Sequence, residues 1–174
     1  MKEVWIQTVS GKRADLPTPK LDQIDINDIA YALAMKCRFN GQCKKFYSVA
    51  EHSVRVSWLL PAELTLAGLL HDANEAYLPD IPRPVKELIP DYKRVENLLE
   101  DTINLKYGIV LSDEDKRHIK RADNVMLATE ARDFMGNTTD WGLTEIPLKR
   151  PIKPWTIDES RWGFLEAFNL FAGD

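Results

Sequence analysis

The chain has only three histidines, the side chains best suited to hold a metal or move a proton near neutral pH. Two of them sit among carboxylates. His71 and Asp72 are adjacent and close the apolar run 66–70. Glu75 lies three residues from Asp72 and four from His71, so a helix turning about 100° per residue keeps it on their side. His52 falls in the first turn of a helix that Ser48 can cap. Asp123 interrupts the apolar stripe Ile119, Ala122, Met126 and Leu127. Taken singly, a buried histidine is hydrogen-bonded core and a lone glutamate is a solvated face. Taken jointly, the residues argue against both, because charged side chains are seldom buried unless paired or coordinating a metal. His52, His71, Asp72 and Asp123 together make a mixed nitrogen and oxygen donor set, which suits Mn, Fe, Co or Zn better than a metal that prefers thiolates. Three helices would then hold one divalent ion, with positions left for water and substrate. His118 stands five positions before Asp123, about 140° round the helix from it, and reads as surface.

Helical patterning supplies the elements that must position these groups. Residues 1–22 are irregular, with a short hairpin expected at Ser10 and Gly11. A helix starts at Asp25 and ends before Asn40 and Gly41. Ser48 and Glu51 form a capping-box pattern at the head of the next, with Val49, Val56, Leu59 and Leu60 at helical spacing. Pro61 ends it and opens a third helix that runs to about Leu78. Pro79, Pro82 and Pro84 make segment 79–84 a stiff loop. Another helix is expected from about Asp91 to Lys106, with Gly108 beyond its end. Ser112 caps a further helix reaching about Met135, where Gly136 stops it. Segment 137–155 reads as loop. Thr156 and Glu159 give a second capping-box pattern, opening an amphipathic helix through Leu165, Phe168 and Phe171. Six helices with almost no strand signal predict an all-α fold, a single domain over residues 1–174. Its core is expected at about 25–135, followed by a C-terminal loop and helix over 137–174.

Composition narrows the partners. The 174 residues are 44% hydrophobic and 29% charged, enough for a core and a soluble surface. A net charge of -4 and a pI near 5.5 do not suit a protein that grips a phosphate backbone by counterion release, so no stable nucleic-acid partner is expected. A local basic pocket for a small phosphate is compatible with that balance. The longest apolar stretch, 64–70, is interrupted by Thr65 and Gly68 and is far short of a bilayer span, so no membrane partner is expected. Cys37 and Cys43 lie six positions apart, and the start of the chain lacks the apolar run of a signal peptide. The expectation is a cytoplasmic protein with both thiols reduced. The last helix carries Trp162, Phe164, Phe168 and Phe171, more apolar surface than one contact face needs. Core packing is the first use for it, and a homo-oligomer contact is left open.

The order His52, His71-Asp72, Asp123 resembles the signature of the HD-domain metal-dependent phosphohydrolases. Five local blocks sharpen the likeness: Cys37 to Gly41, Tyr47 to Ser53, Leu69 to Tyr77, Asp80 to Lys86, and Lys120 to Asp123. They look like the branch that holds the YfbR-like 5'-deoxynucleotidases and the phage dATP triphosphohydrolases called DatZ, and the likeness covers roughly residues 25–135. The resemblance implies an HD-domain helical bundle and one or more divalent ions (Mn, Co, Zn, Fe or Mg) held by His52, His71, Asp72 and Asp123. It implies a proton-handling role for Glu75 and a second acidic residue near the site at Asp80. It places Arg38 on phosphate near the sugar, and Lys86 and Lys120 on further phosphate oxygens. Gln42 departs from the pattern, since relatives often carry His there. The implied reaction is hydrolysis of the 5'-phosphate ester of a deoxyribonucleotide, releasing the deoxynucleoside. The short length, the N-terminal segment Trp5 to Gly11 and the two lysines tilt the expected substrate toward a triphosphate, dATP. A 5'-deoxynucleotidase acting on monophosphates is the alternative, followed by a cyclic or dinucleotide phosphodiesterase and then a non-catalytic nucleotide-binding module. The location implied is the cytoplasm, or the host cytoplasm for a phage-encoded chain.

Overall fold

Helix starts in this protein are fixed by side chains that accept from otherwise orphaned backbone amides. In the computed structural model, which describes residues 4–79, 81, 83–86 and 88–173, Asp25 accepts from Asn27 N at 2.9 Å and opens α1 (Ile26–Met35). Ser48 accepts from Glu51 N at 3.0 Å and opens α2 (Val49–Ser57). The reciprocal half of the expected box is absent there, because the Glu51 carboxylate accepts from Arg55 Nε at 2.9 Å and from Trp155 N at 2.8 Å. The described residues continue with α3 (Thr65–Leu70), α4 (Arg83–Lys86), α5 (Pro90–Lys106), α6 (Asp113–Phe134) and α7 (Ile157–Ala172). Full capping boxes stand at Ser112 with Asp115 and at Thr156 with Glu159. The expected hairpin is present: β1 (Trp5–Gln7) pairs antiparallel with β2 (Arg13–Asp15), with Ile6 opposite Ala14. Gly11 takes a φ of 83° in its turn, where a Cβ would be strained.

Two expectations are corrected. The helix expected up to about Leu78 breaks after Leu70, and a separate 3-10 turn covers Ala73–Ala76. Asp72 sits at the break with φ -108° and ψ 15°, and Asp72 and Asn74 are residue types whose side chains compete with helix hydrogen bonding. The stiff proline loop is not wholly irregular, since one turn of helix forms at Arg83–Lys86. Proline is tolerated in a first turn, where its missing N–H has no partner to lose.

The architecture is all-α, with α7 packed across α1, α2 and α3. Ile29, Leu33, Val49, Leu69, Leu99 and Phe164 have no exposed surface and form the larger core. A smaller core of Tyr47, Val56, Ala122, Met126 and Phe134 lies where α2 meets α6, and the Tyr47 and Phe134 rings are 4.9 Å apart. Packed on both sides, α2 buries even its polar residues Glu51, His52, Ser53 and Ser57. A buried polar group must find a partner, and this requirement shapes the site. Among the described residues, no helix is long and apolar enough to cross a membrane.

The last helix divides its aromatics. Phe164 is fully buried, whereas Trp162 is 58% exposed. Phe164→Ala is therefore expected to cost about 3–5 kcal/mol of unfolding free energy, the usual loss for a deleted core aromatic. Trp162→Ala is expected to stay within about 1 kcal/mol of the parent. Guanidinium denaturation of the two variants checks the division.

Candidate metal centre

The N-cap at Ser48 places His52 in the first turn of α2, inside the protein, with no exposed surface. Its Nδ1 lies 2.6 Å from Glu130 Oε1. Its Nε2 points the other way, 3.3 Å from Asp123 Oδ1 on α6 and 3.8 Å from Asp72 Oδ2. His71 follows the end of α3, with Nδ1 2.8 Å from Gly68 O and Nε2 3.3 Å from Asp72 Oδ2. The two imidazoles stand 5.3 Å apart between centroids. One donor atom from each of His52, His71 and Asp72 can be chosen so that all lie within 4.8 Å of one another.

The tautomers follow from the acceptors. A backbone carbonyl only accepts, so His71 Nδ1 carries the proton toward Gly68. His52 Nδ1 likewise donates to the Glu130 carboxylate. In the neutral imidazoles the lone pairs are then on both Nε2 atoms. These two atoms are buried and make no hydrogen bond. Unsatisfied buried nitrogens aimed at a pair of carboxylates fit a divalent cation, and the hydrogen bonds at Nδ1 are of the kind that orient metal-bound histidines.

The electrostatics agree. Burial and Arg38 both press His52 toward its neutral form, yet Glu130 and Asp123 outweigh them and push its pKa up to about 9. Burial also opposes charge on His71, and Asp72 reverses the balance, raising its pKa. Asp72 and Asp123 would be raised by burial, but His71, His52 and Arg38 hold both well below the usual carboxylate range. The surplus of carboxylate thus draws positive charge into the cluster, as it would draw a metal ion.

Arg38 joins the cluster from the 3-10 turn Arg38–Gly41. Its Nη2 and Nε donate to Glu130 Oε2 at 3.1 and 3.3 Å, and Nη1 is 3.6 Å from Asp72 Oδ2. Glu75 is buried in the turn after Asp72, and its N–H donates to Asp72 O at 3.0 Å. Lys120 Nζ donates to Asp123 Oδ2 at 2.5 Å. Lys86 Nζ donates to Glu96 Oε1 on α5 at 2.6 Å and sits 5.7 Å from the Tyr92 ring centroid. Asp80 lies outside the described residues. Gln42 is exposed, its N–H bonded to Phe39 O at 2.9 Å, and His118 is exposed on α6. Cys37 and Cys43 are free thiols 3.5 Å apart, and burial with the neighbouring thiol pushes Cys43 up to about 11.

Glu130 is the residue that sequence reasoning missed. It has no exposed surface and binds both His52 and Arg38. Burial would raise its pKa, but Arg38 and His52 together bring it below the ordinary value, so it stays an acceptor. A signal was present. Glu130 follows Asp123 by seven residues on one helix, two turns along nearly the same face, with Met126 between them.

The fold and this cluster define an all-α protein with a candidate His/Asp metal centre beside a partly buried arginine. No known family profile matches the chain. The uncharacterized protein YfdR of Escherichia coli is 42% identical over 171 residues, covering 95% of this chain and 94% of that one, and the chain belongs to its family. An uncharacterized protein of Rhodobacter capsulatus is 40% identical over 148 residues, 78% of this chain and 76% of that one. More distantly, a 5'-deoxynucleotidase of Pasteurella multocida is 24% identical over 155 residues, 70% of this chain and 79% of that one.

Glu130→Gln keeps the size of the side chain but removes the charge that fixes His52 and turns an amide toward Arg38. Loss of such a partner typically weakens metal affinity by about 10–100-fold. Metal titration of the variant is expected to show a drop of that order, with helical circular dichroism unchanged.

Proposed function

We propose that this chain is an HD-domain phosphohydrolase that cleaves the 5'-phosphate ester of a deoxyribonucleotide. The observation that carries the reading is the pair of unpartnered buried Nε2 atoms of His52 and His71, facing Asp72 and Asp123, with the Arg38 guanidinium 3.6 Å from Asp72. Metal ligands and a phosphate-binding cation in one small volume suit an anionic ester. The 5'-deoxynucleotidase of Pasteurella multocida among its relatives supports the substrate class.

In this reading His52, His71, Asp72 and Asp123 hold a divalent ion, which when bound neutralises phosphate charge and makes a water more acidic. Arg38, fixed by Glu130, binds phosphoryl oxygens and stabilises the charge they gain as water attacks. Glu75 accepts the proton from the attacking water and returns it to O5' as the P–O5' bond breaks. The products are the deoxynucleoside and the phosphate. In the same reading Asp80 is a second acidic residue of the site, and Lys120, which donates to Asp123 Oδ2, binds a further phosphate oxygen.

The monophosphate is the substrate we favour. The preference for a triphosphate rested in part on Lys86 and Lys120 gripping the outer phosphates together. Lys86 is matched to Glu96, a carboxylate that also accepts from Lys93 at 2.9 Å.

Incubation with a panel of deoxynucleoside mono- and triphosphates and divalent ions tests the reading. Release of deoxynucleoside and orthophosphate from monophosphates is expected, together with loss of turnover on chelation. Inorganic triphosphate from dATP would keep the metal site and restore the triphosphate substrate. Binding without turnover would move the protein to the nucleotide-binding class, and dAMP with pyrophosphate from dATP would refute attack at the α-phosphorus. Within an active enzyme, Glu75→Gln is expected to lower kcat by about 10²–10⁴-fold while metal stoichiometry stays constant.

A further inference from the structure

Two aromatic rings continue outward from the partly buried Arg38. Arg38 Cζ lies 5.5 Å from the centroid of the Phe39 ring. The Phe39 ring in turn lies 5.9 Å from that of Trp141, at an interplanar angle of 49°. Phe39 and Asn40 have φ values of 57° and 52°, the only non-glycine residues with positive φ among those described. Bulky side chains avoid that region, and strain of this kind gathers where a side chain must be held in one place. The turn therefore aims Arg38 at Glu130 and Asp72 while setting Phe39 beside it.

Trp141 reaches the same spot from the loop between α6 and α7. It ends the 3-10 turn Thr139–Trp141, and Gly142 follows with a φ of 64°. The indole keeps 41% of its surface exposed although it packs on Phe39. A large aromatic side chain left open to solvent one ring beyond a phosphate-binding arginine is a stacking surface. Nucleobases stack on such rings in single-stranded and nucleotide sites, and the larger bases overlap them more.

We infer that Trp141, supported by Phe39, is the base-stacking residue of the substrate site, and that it favours purine over pyrimidine deoxynucleotides. The inference rests on the proposed function for its phosphate end and adds what sits at the other end of the substrate. Asp72, Arg38, Phe39 and Trp141 then run in the order of metal-bound phosphate, phosphate, sugar and base.

The test compares dAMP, dCMP and 2-deoxyribose 5-phosphate, a substrate without a base, on the parent, Trp141→Ala and Trp141→Phe. Removing a stacking partner is expected to raise KM for dAMP about ten-fold, raise that for dCMP less, and leave kcat nearly unchanged. KM for 2-deoxyribose 5-phosphate should not move, and Trp141→Phe should recover most of the dAMP affinity. An equal loss on the baseless ester would make Trp141 a structural clasp and overturn the inference, as would an unchanged KM for dAMP. If the parent turns over none of the three, the monophosphate reading fails. Calorimetric binding of dAMP then decides the inference separately: weaker binding by Trp141→Ala sustains it, and equal binding overturns it.

Discussion

One carboxylate with no exposure to water, Glu130, ties together the two halves of the site. On one oxygen it accepts from His52 Nδ1 at 2.6 Å, and on the other from the Arg38 guanidinium at 3.1 Å. An ionised group so deep is tolerated only where opposite charge and hydrogen bonds replace its lost hydration. His52 and Arg38 supply both. In return the carboxylate fixes which imidazole nitrogen carries a proton and where the guanidinium lies. Take the charge away, and both His52 and Arg38 lose the group that orients them.

The helical scaffold makes this arrangement affordable. Helix α2 is covered by a core on each side, so the chain has no room to turn His52 toward solvent. Helix α6 brings Asp123 and Glu130 to α2 on one face, and the broken end of α3 brings His71 and Asp72 from a second direction. Charged groups from three elements meet where water is scarce, so their mutual attraction is stronger than at the surface. This explains why the carboxylates bind protons weakly and the histidines strongly. The same field that favours protonated imidazoles favours a divalent cation in their place.

Much of this was legible in the residues. Caps at Ser48, Ser112 and Thr156 announced three helices because a hydroxyl that satisfies a backbone amide is a local signal. His52, His71, Asp72 and Asp123 stood out because polar groups interrupted apolar stripes. Three features were missed. The break after Leu70 was missed because the helical spacing of apolar residues runs on past it, although Asp72 and Asn74 are residue types that compete with helix hydrogen bonding. Glu130 was missed although its spacing from Asp123 and Met126 put it on their stripe, because how deeply that face is buried is set by the packing of α2 against α6. The pairing of Lys86 with Glu96 was hidden for a similar reason, because α4 and α5 meet only in three dimensions.

The central claim is that the two free Nε2 atoms and their neighbouring carboxylates bind a divalent ion. Anomalous diffraction at the absorption edge of a bound transition metal tests it most directly. The account predicts one strong peak at bonding distance, about 2.0–2.2 Å, from Nε2 of both His52 and His71, with oxygens of Asp72 and Asp123 around it and Glu130 outside direct contact. A metal-loaded crystal with no peak between the two histidines, or with the ion bonded to Glu130 in place of His52, would contradict it.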